Sequence, residues 1–243
     1  MDSQTAPGAD NFQAVDSHFM MRCFYAFAVL AVLSIGISAG GKMFGRSIAM
    51  AGHTDNRTLH EIVIGNNVLA VPANAIRFER ARLDGIAARL EIYLRWPDMT
   101  GYSTVTRDDF NNADGTRNIL FLSFSEKMMS RDMSGRFEPI YRSLIEEMGV
   151  PIHAGISEHS FTQQSGYMDE TLVVAERNGA DPFVARCLSG PAAAESLAPC
   201  ERDLHVGKEL SLSYRFAREL LPAWRNLDAA VMAKANEYLR TAQ

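Results

Sequence analysis

An uncharged run of nineteen residues, Cys23 to Gly41 (CFYAFAVLAVLSIGISAGG), constrains this chain more than any other feature. Coiled as a helix at ~1.5 Å per residue, it reaches about 28 Å, close to the ~30 Å hydrocarbon core of a bilayer. No other stretch approaches that length. The run divides the chain into four parts: a polar, disordered tail (1–22), a transmembrane helix (23–41), a juxtamembrane tether (42–57) and a globular domain (58–243). The last part is long enough to bury a core of its own.

A cleaved signal peptide is the competing reading of the apolar run, and the flanks argue against it. A signal peptide begins with a short basic segment. Here Arg22 is the only Lys or Arg in twenty-two residues, opposed by Asp2, Asp10 and Asp16. The small-residue cleavage options are poor as well: Gly36-Ile37-Ser38 lies inside the run, and Ala49-Met50-Ala51 follows its end. An uncleaved anchor is expected. Its orientation is contested by two signals. Lys42, Arg46 and Arg57 against Arg22 place the large domain in the cytoplasm by the positive-inside rule. Two cysteines in that domain favour the opposite side, and we expect the domain outside the cytoplasm.

Those cysteines, Cys187 and Cys200, bracket a loop of small residues with two prolines, Pro191 and Pro199. A disulfide between them closes a fourteen-residue loop, worth about 3 kcal/mol by chain entropy. The alternative is a pair of free thiols. Zinc is disfavoured because no CxxC pair supports it. Cys23 opens the apolar run and reads as a buried apolar residue.

Beyond the tether, hydrophobic periodicity is mostly two. Ala88–Arg95, Asn118–Phe124, Glu170–Ala175 and Glu209–Phe216 read as strands, with shorter candidates at His60–Ile64, Val68–Val71, Phe183–Cys187 and Asp203–Val206. Turn chemistry separates them, at Gly65-Asn66-Asn67, Ala113-Asp114-Gly115 and Asn178-Gly179. Two segments switch to helical spacing. Phe137, Ile140, Tyr141, Leu144, Ile145 and Met148 form one stripe, with Pro139 in its first turn. Leu220, Trp224, Leu227 and Val231 form the other, within a C-terminal helix from about 219 to 239. The fold class is therefore α+β: a membrane helix, then a mainly antiparallel sheet with one or two packing helices.

Chemistry-bearing motifs are sparse. Net charge is −5 with acidic and basic residues scattered, which argues against a nucleic-acid partner. The Asp-rich loop 107–115 resembles a calcium loop superficially, but aligning Gly115 with the loop glycine puts Phe110 and Phe121 where oxygen donors belong. None of His53, His60, His153, His159 and His205 falls in a zinc motif, the serines lack a nucleophile elbow, and no phosphate or dinucleotide fingerprint occurs. No cofactor is expected, and the balance leans away from an enzyme. Arg215 on the solvent side of a strand, with Arg142 and Arg186 elsewhere, marks a contact surface or, by default, a solvated face. In the membrane run, Ser34, Gly36, Ser38 and Gly40 recur on a four-residue period that allows close helix approach, hence a homodimer or a partner helix. A helix standing alone is the equal alternative.

Two stretches carry a resemblance: Leu94-Arg95-Trp96-Pro97-Asp98-Met99-Thr100-Gly101-Tyr102-Ser103, and the C-terminal run from Pro199-Cys200-Glu201-Arg202-Asp203 through Ser211–Phe216 to Pro222-Ala223-Trp224. With the anchor, they resemble uncharacterised single-pass membrane-anchored proteins of alphaproteobacteria. The resemblance brings no activity and no catalytic residues. It implies a bacterial inner-membrane anchor with a periplasmic domain. The expectation is an accessory subunit, scaffold or regulator that binds an envelope protein; a membrane-tethered hydrolase or a ligand sensor is the alternative.

Overall fold

The computed structural model describes residues 17–50, 52–153 and 155–241, with side chains of the first helix described only as far as Ile37. The tail 1–16 lies outside the described residues, as do the side chains of Ser38 and Gly40. The chain forms two compact units, 1–51 and 52–243. The described residues of the first form one helix, α1 (Ser17–Met50), whose stretch Ser17–Ile37 is long and apolar enough to cross a membrane.

The second unit is α+β. Its order is β1 (Leu59–Ile64), β2 (Asn67–Pro72), β3 (Gly85–Ile86), β4 (Arg89–Arg95), the single turn α2 (Arg107–Phe110), β5 (Ile119–Glu126), β6 (Val150–His153), β7 (Ile156–Ser160), β8 (Glu170–Arg177), β9 (Ala180–Leu188), α3 (Gly190–Glu195), β10 (Cys200–Val206), β11 (Leu210–Phe216) and α4 (Trp224–Tyr238). Strands β2-β1-β3 make a small sheet, and the other eight make a second, ordered β4-β5-β11-β10-β9-β8-β7-β6. Every pairing in the large sheet is antiparallel. Hairpin turns use glycine where the backbone is left-handed, as at Gly65, φ 54°, and Gly179, φ 72°.

Segment 52–58 is bound to its unit rather than free. Arg82 donates to the Gly52 carbonyl at 2.6 Å, His53 meets the Tyr93 hydroxyl at 2.9 Å, and the Thr104 amide donates to Asp55 at 2.6 Å. Nearby, the chain at Gly101 passes so close to Asn74 and Ala75 that an added Cβ would sit 2.8 Å from their backbone atoms. Gly101→Ala is therefore expected to cost about 1–3 kcal/mol by overpacking, read as a lower urea midpoint.

Alternation decides the faces. Leu90, Ile92 and Leu94 of β4, Leu120, Leu122 and Phe124 of β5, and Leu210, Leu212, Tyr214 and Phe216 of β11 all turn inward. Trp224, Leu227, Val231 and Ala235 of α4 belong to the same core, on the i, i+3, i+4 spacing of an amphipathic helix. Strand β8 is buried on both faces: Val173 and Ala175 enter this core, while Leu172 and Val174 enter a second cluster with Val184, Met133, Phe137, Tyr141 and Ile145.

That second cluster corrects one expectation. Residues 137–148 do not form a helix; only Tyr141–Ser143 make a short 3-10 turn. The apolar spacing still buries Phe137, Tyr141 and Ile145, each four residues on. Hydrogen bonding starts earlier than the stripe suggests, with the Arg136 amide donating to Asp132 O, so Pro139 falls inside the turn and not at its start. Proline has no N–H to donate and clashes with the preceding turn. The Ile140 amide still reaches back four residues to Arg136 O, but the two after it reach back five, Tyr141 to Arg136 O and Arg142 to Phe137 O.

The large sheet is divided in its middle. β9 and β10 pair only at Cys187↔Cys200 and Arg186↔Glu201. Beyond that point Arg202, 1% exposed, reaches across the parting. Its guanidinium donates to Val184 O on β9, to Ser134 Oγ and to Asp228 Oδ1 on α4, each at 2.9 Å. Asp228 also accepts from the Tyr214 hydroxyl at 2.7 Å and from Arg177 at 2.5 Å. Burial raises the Asp228 pKa, but the Arg202 charge and these three donors outweigh it and hold the carboxyl below its usual range.

Candidate interaction site

The outer face of β4-β5-β11-β10 carries the polar half of each alternating strand. The register sets side chains in rows across the sheet. Arg89, Ser125, Ser211 and His205 stand in one, Glu91, Ser123, Ser213 and Asp203 in the next, and Tyr93, Phe121, Arg215 and Glu201 in a third. Small serines in the two central strands, between longer side chains on the outer ones, make a trough. Its main cavity is about 510 Å³. A second cavity shares Ser125, Glu201 and Ser213 with it and continues toward Met128, Tyr141, Tyr167 and Arg186.

Three walls frame the trough. Arg77 lies over the Phe121 ring, 5.0 Å from its centroid, and pairs with Glu91 at 3.6 Å. The loop between the two cysteines supplies Ser196, Leu197 and Ala198, fixed by Arg215, whose Nε and Nη2 donate to Ala198 O at 3.2 and 3.1 Å. The segment 128–141 supplies the third, tied down by an Arg136–Asp203 ion pair. Burial raises the Asp203 pKa above its usual value more than the Arg136 charge lowers it. Arg186 pairs with Glu170 at 3.3 Å and Glu201 at 3.8 Å and stacks over Tyr167.

The bound carboxylates leave an imbalance. In the main cavity Glu91 and Glu201 are already paired, with Arg77 and Arg186. Among the described residues, Arg89 and Arg215 have no carboxylate partner, and both are exposed. Among the described residues, no three His, Cys, Asp or Glu side chains gather as a metal set. The trough offers hydrogen-bond donors, two unneutralised guanidinium groups and a rim of methionine and tyrosine. That chemistry suits recognition.

The sequence-derived candidates fall in three places. Cys187 and Cys200 lie opposite one another where β9 meets β10, Cα atoms 4.0 Å apart and sulfurs bonded. Their loop is the trough wall just described. Ser34 and Gly36 are exposed on α1, with open space where a Gly36 Cβ would stand. Of the three arginines, Arg215 and Arg186 reach the trough; Arg142 instead lies over the Phe137 ring. Sequence reasoning missed Arg89 and Arg136. Arg89 begins an alternating strand on its polar side, a signal visible in the sequence, whereas Arg136 lies just before the stripe read as a helix, where no pattern singled it out.

No protein-family model matches the chain, and no curated protein matches it in sequence. Solved structures do. An immunity protein of the Stenotrophomonas maltophilia type IV secretion system, Smlt3025, is similar over 78% of this chain and 96% of its own, at 13% identity and a TM-score of 0.50. The iron-regulated outer membrane lipoprotein FrpD of Neisseria meningitidis covers the same shares at 8% identity and a TM-score of 0.43. At such identities the likeness to Smlt3025 concerns the fold alone.

Proposed function

We propose that this is a bitopic inner-membrane protein whose α+β domain faces the periplasm and binds another envelope protein, as an accessory subunit, scaffold or regulator. The observation that carries the reading is the trough: an open, polar concavity with arginine, tyrosine and methionine around it, the residue types enriched where proteins meet. An apolar helix of spanning length and a disulfide fit an oxidising envelope compartment. An immunity role, the one named for the solved structure that shares the fold, is one form the regulation takes. Anchoring confines the domain near a membrane and raises its effective concentration for neighbours there, so modest affinity suffices. Self-association through Gly36 and Gly40 of α1 is a further part of the proposal.

The test is crosslinking in intact membranes, then affinity purification and mass spectrometry of the tagged full-length protein. A stoichiometric envelope partner is expected. Recovery of the protein alone, or only with itself, would overturn the partner reading and favour a tethered hydrolase or a ligand sensor.

A further inference from the structure

We propose that the trough takes an extended acidic segment of a partner protein, with Arg89 and Arg215 each receiving one of its carboxylates. The inference rests on the protein-binding reading above and names what that site recognises. Charge decides the chemistry. The carboxylates lining the main cavity are committed to Arg77 and Arg186, so the groups left over are both cationic. Their flat guanidinium forks suit carboxylates held by two parallel hydrogen bonds. The chain as a whole carries −5, so an acidic partner is repelled except where such groups stand unneutralised.

Spacing decides the form. Arg89 is level with Ser211, two strands away, and Arg215 lies four residues further along β11. Strand rise and spacing put their Cα atoms about 16 Å apart. Side chains four residues apart on one face of an extended peptide are about 13 Å apart, and arginine's length closes the difference. The serine floor, Ser123 and Ser213, is low enough to leave room for a backbone to approach. The cavity also stays open past Tyr167 toward Met128, 94% exposed, which suits a continuing chain better than a compact small molecule.

The experiment uses the full-length protein in detergent micelles, with fluorescein-labelled deca-glutamate and deca-lysine as probes and anisotropy as the readout. Deca-glutamate should bind at low salt and deca-lysine should not, with affinity falling as salt screens the charges. Arg89→Gln should weaken binding about tenfold, and R89Q/R215Q about a hundredfold. Among the described residues Arg89 has no hydrogen bond or ion pair for its removal to break, so the single variant keeps the test valid if Arg215→Gln loosens the loop. Arg225→Gln, on an exposed position of α4, should leave binding unchanged. Absent deca-glutamate binding, equal binding by R89Q, or displacement by millimolar glutarate would each overturn the proposal, the last by pointing to a small-anion site. A partner still crosslinked to R89Q/R215Q in membranes would also sink it while the protein-binding reading stands; no partner for the wild type would sink that reading instead.

Discussion

Asp228→Asn is expected to lower folding stability by about 3 kcal/mol at neutral pH, a large effect for one substitution. Asp228 lies on α4 among apolar neighbours and is 6% exposed. It collects hydrogen bonds from Arg202, Tyr214 and Arg177, which come from β10, β11 and β8, so one carboxylate ties the helix to both halves of the divided sheet. Removing the charge leaves Arg202, itself buried, without its counter-ion. A buried charge stripped of its partner costs more than the intact pair contributed, because nothing replaces the lost solvation. The pH dependence has a definite sign. The folded pKa is depressed, so the stabilisation is fully present above the unfolded value, near 3.8, and is lost as pH falls through the folded value. Wild type and variant should therefore converge in acid, where wild-type Asp228 is itself neutral. Urea unfolding followed by fluorescence of Trp224, packed 4.9 Å from Phe183 beside this network, reads both effects. A gap that stays constant from neutral to strongly acidic pH would show that the charge of Asp228 is not what holds α4.

Much of this architecture was legible because alternation is a local property. Glu209–Phe216, read as four inward apolar residues against polar ones, became β11 with that same division of faces. The C-terminal helix was legible for the same reason, though its stripe gave no hint that Asp228 would be buried on it. Such a residue reads as a solvated position until three donors from other elements are seen to converge there. The segment around Phe137 failed because apolar spacing fixes which residues are buried, not the backbone that buries them; Pro139 decided the backbone. Arg215 was legible as a polar-face residue, but its meaning depends on pairings set by strand order. Strand order places β11 between β5 and β10, joining chain segments some ninety residues apart, and no local pattern encodes that. The trough is a product of topology, and its serines are unremarkable in the sequence alone.

Replacing both Cys187 and Cys200 with serine is expected to cost about 3 kcal/mol and to loosen one wall of the trough. The stability term comes from the unfolded chain, which regains the freedom of a fourteen-residue loop when the link is gone. The local term follows from where the link sits. β9 and β10 share only two residue pairs, one of them the cysteines themselves, and past the second the sheet parts. The loop 188–199 contributes few anchors besides: Leu188 N to Pro199 O, Ser189 N to Asp169 O, and Arg215 to Ala198 O and Ser196 Oγ. With the covalent closure removed, these hydrogen bonds and the burial of Ala198 are left to hold Ser196 and Ala198 over the cavity. The double serine variant should show the full drop in urea midpoint together with faster proteolysis within 188–199, while membrane association through α1 stays unchanged. A midpoint within error of wild type would mean that strand pairing alone closes the loop. The same cysteines report the side of the membrane. In the periplasm the pair should resist a thiol reagent until a reductant is added; reaction without reductant, and only after the inner membrane is permeabilised, would place the domain in the cytoplasm and reverse the proposed orientation.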